Sequence, residues 1–561
     1  MPAEDVIDAG DAGAGTAHPR DQQRLCSGAL IPGEPQIDLC VVTTLHTLFV
    51  GTLIQVSLAN VPIAVHTTTT MPASFAHDLY IVVCPQMFDV MPPASKTICF
   101  QMEQVHAGDW GTEEYWARLR ESLAVIEFSL DNIAILTARG IPANNIYYVP
   151  VLPLARGEID SPGLVRDIDV LFYGSPASRR RARYLSALKH RFQLRVKTNL
   201  FGDDMHHLLE RTKIVVNIHM SDDGLLETTR LSEALTHGAH VVSERGADQV
   251  HQTDFDDLVD FVEANDVDAF VARVEQKLAA WSSPTRIDER ASLWSPRYFL
   301  LRMLHGLGFL SFRQLDAILE AATFKSDRVV LCQPEQISRF KSALHNLLPN
   351  TELFAGLRHA IPWKGCAESY KFMARRALRR HDHFFTIYED DSIFEQDVDS
   401  RLDAVYAHLN ANAGNWDIYS GLLCDLHLDA NISRVVPERG EEFIYLDRFI
   451  GTHFAIYTRL ALAKIAAFEI LGDDPFKHTI DRYLEAMRLR IVTTLKPLAM
   501  ENAEVPSSLW PRSNSEAAQR IQSSILRLRR KWAAYVDLSR IRISDMLHDK
   551  LFDLAHLDHY P

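Results

Sequence analysis

From Leu39 onward the chain alternates short apolar runs with longer amphipathic ones. LCVVTT (Leu39–Thr44), PIAVHTT (Pro62–Thr68), LYIVVCP (Leu79–Pro85), TICFQMEQ (Thr97–Gln104), AVIEFS (Ala124–Ser129) and NIYYVPVLP (Asn145–Pro153) have the length and residue types of buried strands. Between them, HTLFVGTLIQVSLANV and EYWARLRESLA read as helices, and NIAILTARG as a helix stopped by Gly140. Strands alternating with helices predict a parallel sheet covered by helices. A second unit of the same rhythm follows: strand DIDVLFYGS, basic helix SRRRARYLSALKH, strand LRVKTNLFG, helix MHHLLERT, strand KIVVNIH, helix LETTRLSEALTHG and strand AHVVSE. Ile287–Phe324 is apolar and helical and is expected to pack the two units together. A third unit opens with the strand RVVLC at Arg328.

Two places in this pattern carry chemistry. In the helix Leu226–Gly238, Glu227, Arg230 and Glu233 recur every three residues and so lie near one face. A carboxylate there can accept from a ribose diol, and Arg230 can hold a diphosphate. Helix N-termini behind Gly174 and Gly224 add backbone donors. A solvated face stabilised by local ion pairs is the plainer alternative. The run LFYGS…LFGDD…KIVVNIH…LETTRLSEALTHGAHVVSE resembles the nucleotide-sugar-binding half of GT-B glycosyltransferases of the family 4 type, over about residues 165–250. That resemblance implies two Rossmann-like domains with a ribose-binding role for Glu233 and, secondarily, Glu227. It departs from the family in spacing, the two glutamates standing six apart where the family has eight. In the first unit Glu103, His106 and Asp109 follow a strand, on the ligand side of an open α/β sheet. Glu103 is the candidate acceptor-side base, against a polar loop with no role.

The second place is FFTIYEDDSIF (Phe384–Phe394), an apolar strand ending in Glu389, Asp390 and Asp391. Side chains two apart on an extended chain share a face, and hard carboxylate oxygens suit Mg²⁺ or Mn²⁺. A solvated acidic turn would look the same. Upstream stands WKGCAESYKFMARRAL and downstream GTHFAIYTRLALAKI. The ordered set Gly365, Cys366, Ser369, Glu389, Asp390, Asp391, Gly451, Thr452, Tyr457 and Asp481 resembles glycosyltransferase family 25, the lipooligosaccharide and collagen galactosyltransferases, over about Arg328–Glu504. The resemblance implies a GT-A domain with Mn²⁺ or Mg²⁺ held by Glu389, Asp390 and Asp391, a UDP-sugar donor, and Asp481 near the acceptor as candidate general base. Tyr370 replaces the family's His, and VVLCQPEQISR replaces its Asn-Leu pair and Arg-rich turn.

Composition narrows the picture. The 561 residues suffice for two or three domains, and a net charge of −15 argues against a general nucleic-acid binder. Seven scattered cysteines without a CxxC pair predict buried thiols of a reducing compartment. Leu45–Val65 approaches membrane-span length, but His46, Gln55, Asn60 and Pro62 break it into helix, turn and strand. Residues 1–36 are polar and glycine-rich, and read as disordered with no signal peptide. In the tail, Ser513 and Glu516 suggest a helix cap. Ile521, Ile525, Leu528, Trp532 and Val536 then form a stripe opposite Arg527, Arg529, Arg530 and Lys531. Such a stripe docks on its own protein, on a second copy, or on an anionic membrane.

The expected architecture is α/β: a disordered segment (1–36), two GT-B domains (37–160 and 161–320), a GT-A-type domain (325–505) and a helical tail (506–561). The expected protein is a cytoplasmic, bifunctional glycosyltransferase extending a lipopolysaccharide or other surface glycan from nucleotide sugars, acting on a glycan or glycolipid acceptor. The alternatives are one active domain beside an acceptor-binding module, and a non-enzymatic glycan-assembly scaffold. A nucleotide-sugar epimerase is disfavoured because no GxGxxG fingerprint is present.

Overall fold

The computed structural model of the protein describes residues 37–105, 111–155, 165–287, 292–507 and 514–555, with side chains of 517–538 in the last stretch. The segment 1–36, His106, Asp109 and the Ser513 cap lie outside them.

The first unit has strands β1 (Ile37–Val42), β2 (Ile63–Thr68), β3 (Leu79–Val83), β4 (Thr97–Gln101), β5 (Ala124–Glu127) and β6 (Ile146–Tyr148). Helices α1 (Leu48–Ser57), α2 (Glu113–Glu121) and α3 (Leu130–Ala138) accompany them. The strands form one parallel sheet in the order β2-β1-β3-β4-β5-β6. β3 and β4 are buried along their whole length, as expected of a sheet covered on both faces. The charge-free stretch Leu45–Val65 is the β1–α1–β2 connection. Among the described residues no helix is long and apolar enough to cross a membrane.

The second unit repeats the plan with β7 (Ile168–Tyr173), β8 (Leu194–Lys197), β9 (Thr212–Asn217), β10 (His240–Glu244) and β11 (Val259–Val262). Its helices are α4 (Arg179–Arg191), α5 (Asp203–Glu210), α6 (Thr228–Thr236) and α7 (Val267–Ala279). This sheet, β11-β10-β9-β7-β8, is also all parallel. The sequence pattern did not reveal β11 or α7, because VDFV is short and set among acidic residues. In each sheet the strand order reverses around the first strand, β1 or β7. In open α/β sheets ligands bind at the carboxyl end of that position.

Helices α8 (Pro296–Gly306) and α9 (Phe312–Ile318) were expected to join the two units. Instead α8 returns to the first, packing on α1 and β6, and its other side meets the third. The third unit contains β12 (Arg328–Cys332), β13 (Glu352–Ala355), β14 (Phe384–Glu389), β15 (Ser392–Ile393), β16 (Ile418–Ser420), β17 (Ile432–Glu438), β18 (Glu441–Leu446), β19 (Phe454–Thr458), β20 (Ile491–Thr494) and β21 (Met500–Glu501). Its helices are α10 (Ile337–His345), α11 (Pro362–Ala377), α12 (Val398–Ala411), α13 (Arg459–Ala466), α14 (Pro475–His478) and α15 (Ile480–Ala486). Eight strands make a mixed sheet, β13-β12-β14-β19-β16-β20-β18-β17, in which β18 and β19 run against the other six. β15 pairs with β21 beside it.

The tail is one helix, α16 (Asn514–Ala555). Ile521 and Leu528 are buried, and Trp532 packs on the apolar core. Arg527 reaches Asp425 at 3.4 Å, and Lys531 Nζ donates to the Leu428 carbonyl at 2.7 Å. The stripe, and part of its basic flank, thus rests on the chain's own third unit.

The first and third units meet on a buried ion pair. Arg302 of α8, 0% exposed, donates to both oxygens of Glu335 at 2.6 and 3.0 Å. It also donates to the Gly356 carbonyl at 2.6 Å and Gln333 Oε1 at 2.6 Å. Glu335 in turn accepts the Tyr148 amide at 2.9 Å. Burial pushes the Glu335 carboxyl up, but Arg302, with Arg358 behind it, outweighs that and holds it at about 2. A carboxylate depressed in the folded state stabilises above its unfolded pKa and loses that contribution as pH falls toward the folded value. Thermal unfolding should therefore show the wild-type melting temperature falling between pH 5 and 3 more steeply than that of an Arg302→Met/Glu335→Gln double variant. At pH 7, Glu335→Ala alone should cost about 3–5 kcal/mol by leaving Arg302 buried and unpaired, and the double variant should recover most of it.

Candidate functional site

A cavity of about 630 Å³ lies where the carboxyl ends of the two parallel sheets face each other. One wall holds Leu45 and His46 after β1, Met102 and Gln104 after β4, and Phe128 after β5. The other holds Tyr173–Pro176 after β7, Lys197–Gly202 after β8, and the start of α6. Both positions of strand-order reversal therefore open on the same space.

The α6 residues are set by side chains that the sequence pattern did not single out. Glu227 is the helix N-cap rather than part of its face, and both its oxygens face arginines, Arg181 at 2.8 Å and Arg230. It serves as their counter-ion, although it lines the cavity as Glu233 does. Glu233 lines the cavity, accepts the Tyr173 hydroxyl at 3.1 Å and lies 3.4 Å from His206 Nε2. Arg230 donates to Asn217 Oδ1 at 2.7 Å and lies over the Tyr173 ring. Burial, and then the nearby Arg181, draws its pKa down to about 10, which still leaves it charged at neutral pH. Arg181 and Arg230 stand against Glu227, with Glu233 also acting on Arg230, so these charges balance; the groups left to meet an anion are the amino end of α6 and the Arg230 guanidinium that lines the cavity. Gly174, at φ +126°, is where the guanidinium needs room: a Cβ there would stand 2.9 Å from Arg230 Nη2.

The first-unit wall differs from expectation. Glu103 hydrogen-bonds Gln86 at 2.7 Å, and its neighbours Met102 and Gln104 line the cavity in its place. Burial raises its pKa, opposed by Gln86. His46 does line the cavity; Thr44 Oγ1 lies 2.7 Å from its Nδ1, and burial lowers its pKa, favouring neutral imidazole. Its position just past the β1 strand was a signal available in the sequence.

The acidic triplet divides. Glu389 and Asp391 converge with His453, with one donor atom from each within 4.8 Å of the others. Asp390, expected among the metal carboxylates, turns away: Arg339 Nε donates to its Oδ1 at 2.8 Å and the Gln333 amide to its Oδ2 at 3.2 Å. Arg339 also donates to Asp391 Oδ2 at 2.8 Å. Glu389 accepts from Tyr370 and Thr452, each at 3.1 Å, so the residue that replaces the family's His holds the first carboxylate. Burial pushes Glu389 up to about 7, with His453 opposing and Asp391 adding. Asp391 Oδ1 and His453 Nε2 are buried without hydrogen-bond partners, and Asp391 Oδ1 lies 3.3 Å from His453 Nδ1. Two carboxylates and an imidazole with unmet bonding capacity fit a divalent cation, and the imidazole suits Mn²⁺ better than Mg²⁺. His453 directly follows Thr452, but it falls at an unmatched position between Thr452 and Tyr457, where nothing in the sequence distinguishes it.

Asp481, at the start of α15, has its carboxyl raised by burial, and its Oδ1 has no hydrogen-bond partner. Gly365 and Ser369 serve packing: a Cβ on Gly365 would lie 2.6 Å from the Leu357 carbonyl, and Ser369 Oγ takes the Leu357 amide at 2.7 Å. Gly451, at φ +132°, sits against Cys424. The six described cysteines are free thiols, as expected of scattered buried Cys.

Residues 162–292 match the family model described as glycosyl transferase-like. The matched segment is the second unit, which is thus similar to glycosyltransferase-family domains, and the cavity beside α6 is its candidate donor site. No curated protein matches the chain. Similar solved structures include WaaG, a glycosyltransferase involved in lipopolysaccharide biosynthesis, at 12% identity, covering 43% of this chain and 90% of that one, TM-score 0.30. Anabaena Alr3699/HepE in complex with UDP-glucose has 11% identity, 43% and 91% coverage and a TM-score of 0.30. AviGT4, a glycosyltransferase involved in avilamycin A biosynthesis, has 13% identity, 51% and 99% coverage and a TM-score of 0.30. At such TM-scores these likenesses carry no conclusion about activity.

Gly174→Ala should displace the Arg230 guanidinium and weaken nucleoside-diphosphate binding about tenfold, a loss near 1.4 kcal/mol by calorimetric titration. Arg230→Lys, which keeps the charge but loses the planar fork, should fall in the same direction without altering the circular-dichroism spectrum.

Proposed function

We propose that the protein is a bifunctional glycosyltransferase with two donor sites of opposite electrostatic design. The GT-B module comprises the first two units, about residues 37–320, and a GT-A-type module of family 25 character comprises about 325–505. The observation that carries the reading is the cavity between the carboxyl ends of two parallel sheets, one wall of which belongs to the glycosyl transferase-like segment. In that cavity Arg230 and the amino end of α6 hold the donor diphosphate, with buried Arg181 holding Glu227 behind them, and Glu233 takes the ribose. An acceptor hydroxyl approaching from the first unit meets neutral His46 as proton acceptor.

At the second site Glu389, Asp391 and His453 hold Mn²⁺ or Mg²⁺, which when bound neutralises the leaving diphosphate. Tyr370 and Thr452 orient Glu389, Arg339 orients Asp391, and Asp481 receives the acceptor proton. A UDP-sugar is the favoured donor there, and the acceptor is a growing surface glycan or glycolipid, both by the family 25 resemblance. Joining the modules raises the effective concentration of the first product at the second site.

The test is nucleotide release from UDP-, GDP-, CMP- and dTDP-sugars, with and without Mn²⁺, in the wild type, Asp391→Ala and Glu233→Ala. The expected result is metal-dependent release lost in Asp391→Ala and metal-independent release lost in Glu233→Ala. If one variant abolished all release, the chain would have a single active site beside a binding module. No release from any donor, together with nucleotide binding indifferent to Mn²⁺ and EDTA, would remove the second site.

A further inference from the structure

Away from both donor sites, on the edge of the first sheet, Asp38, His66 and His77 bring one donor atom each within 4.8 Å of one another. The three come from separate segments: Asp38 from β1, His66 from the edge strand β2, and His77 from the loop entering β3. Register places them together. Asp38 pairs with Ala64 and Cys40 with His66, so Asp38 and His66 are two residues out of step on adjacent parallel strands and share a face.

One carboxylate oxygen of Asp38 is hydrogen-bonded to His77, and the other is left without a partner. His66 Nε2 lies 3.2 Å from Asp38 Oδ1, yet that oxygen, shielded from solvent, has no hydrogen-bond partner. His77 Nδ1 lies 2.8 Å from the other oxygen, Oδ2. Around a tetrahedral ion with bonds of about 2.0–2.1 Å, neighbouring donor atoms stand about 3.3 Å apart; the three donors, already within 4.8 Å of one another, would draw together to reach that. The loop is already held in place. The His77 amide donates to the Tyr80 hydroxyl at 3.0 Å, Lys96 Nζ to the His77 carbonyl at 2.9 Å, and the Asp38 amide to Asp78 Oδ2 at 3.1 Å. Supporting bonds of this kind fix a ligand's position before the ion arrives.

We infer that Asp38, His66 and His77 form a transition-metal site of the zinc class, with three protein ligands and one open position, which ties the edge strand β2 to β1 and to the entry of β3. Two imidazoles and one carboxylate select Zn²⁺, Co²⁺ or Ni²⁺ over Mg²⁺ or Ca²⁺. The site makes no contribution to sugar transfer. Its effect is on the stability of the first unit, because an ion that binds only the folded state raises the melting temperature with its concentration.

The experiment is a Co²⁺ titration of the untagged full-length chain carrying Asp391→Asn, which disables the other cluster, followed by visible absorption and thermal unfolding. The expected result is the intense visible bands of four-coordinate Co²⁺ at one equivalent, with a rise in melting temperature on adding Zn²⁺. Both should disappear on adding His66→Ala or His77→Ala. His66 is largely exposed (60% of its side chain), so the first of these leaves the fold intact. Bands that survive either histidine substitution, or that never form in the Asp391→Asn chain, would overturn the assignment.

Discussion

Arg302 and Glu335 are paired out of reach of water, and the segment that holds the acidic site starts from that pair. Desolvating two charges costs several kcal/mol for each, and the cost is offset only when nearly every donor and acceptor finds a partner. Here the guanidinium is bound by a carboxylate, a carbonyl and a side-chain amide, and the carboxylate by a guanidinium and a backbone amide. The seven residues Gln333–Arg339 then run from this junction to the second site. The Gln333 amide binds Asp390, Glu335 binds Arg302, and Arg339 grips Asp390 and Asp391. One short stretch thus fixes the first unit to the third and orients Asp390 and Asp391.

The two sites differ in their charged groups. In the cleft Arg181 and Arg230 are held against Glu227 beside a helix amino terminus. In the third unit two carboxylates converge with an imidazole; under the proposed function the first arrangement would meet a departing diphosphate directly and the second through a bound cation. The strand ends account for the difference. Gly174 leaves space for a guanidinium after β7, whereas Tyr370 and Arg339 pull Glu389 and Asp390 apart after β14, so that Asp391 turns toward His453.

The six strands of the first sheet, and four of the second, were legible because buried parallel strands are written as short apolar runs. β11 was not, since its four residues VDFV include an aspartate and are set among acidic loops. Glu233 and Arg230 could be read from their spacing on one helix. Their partners Tyr173, Asn217 and Arg181 could not, because they come from three other elements and only the fold brings them together. The same holds at the acidic site: adjacency in sequence grouped Asp390 with its neighbours, while the turn after β14 sends its side chain to Arg339. Chain departures from the family 25 pattern proved informative in themselves, since VVLCQPEQISR supplies both Glu335 and Arg339. Helices α8 and α9 were recognised as helices, but an apolar run carries no record of which neighbour it buries against.

The strength of the contacts also differs across the molecule in a way that bears on the cleft. Contacts between the second unit and the others include the His251–Asp131 contact at 2.9 Å, the Trp294 indole on Asp254 at 3.2 Å, Gln104, which exchanges two hydrogen bonds with the backbone of Leu225, and two buried bonds of 2.9 Å, Ser232 Oγ to the Val151 carbonyl and the Leu154 amide to Thr236 Oγ1. Neutral hydrogen bonds of this sort contribute about 1 kcal/mol each, and Asp131 is partly exposed, where pairing contributes little. The first and third units share the buried Arg302–Glu335 pair, whereas the boundary with the second unit opens into the 630 Å³ cavity. Under the proposed function a donor seated on α6 would bridge that boundary, with its diphosphate on the second unit and its sugar toward His46. Occupancy would then add contacts across the open boundary, so that holding the substrate and closing the cleft become one event.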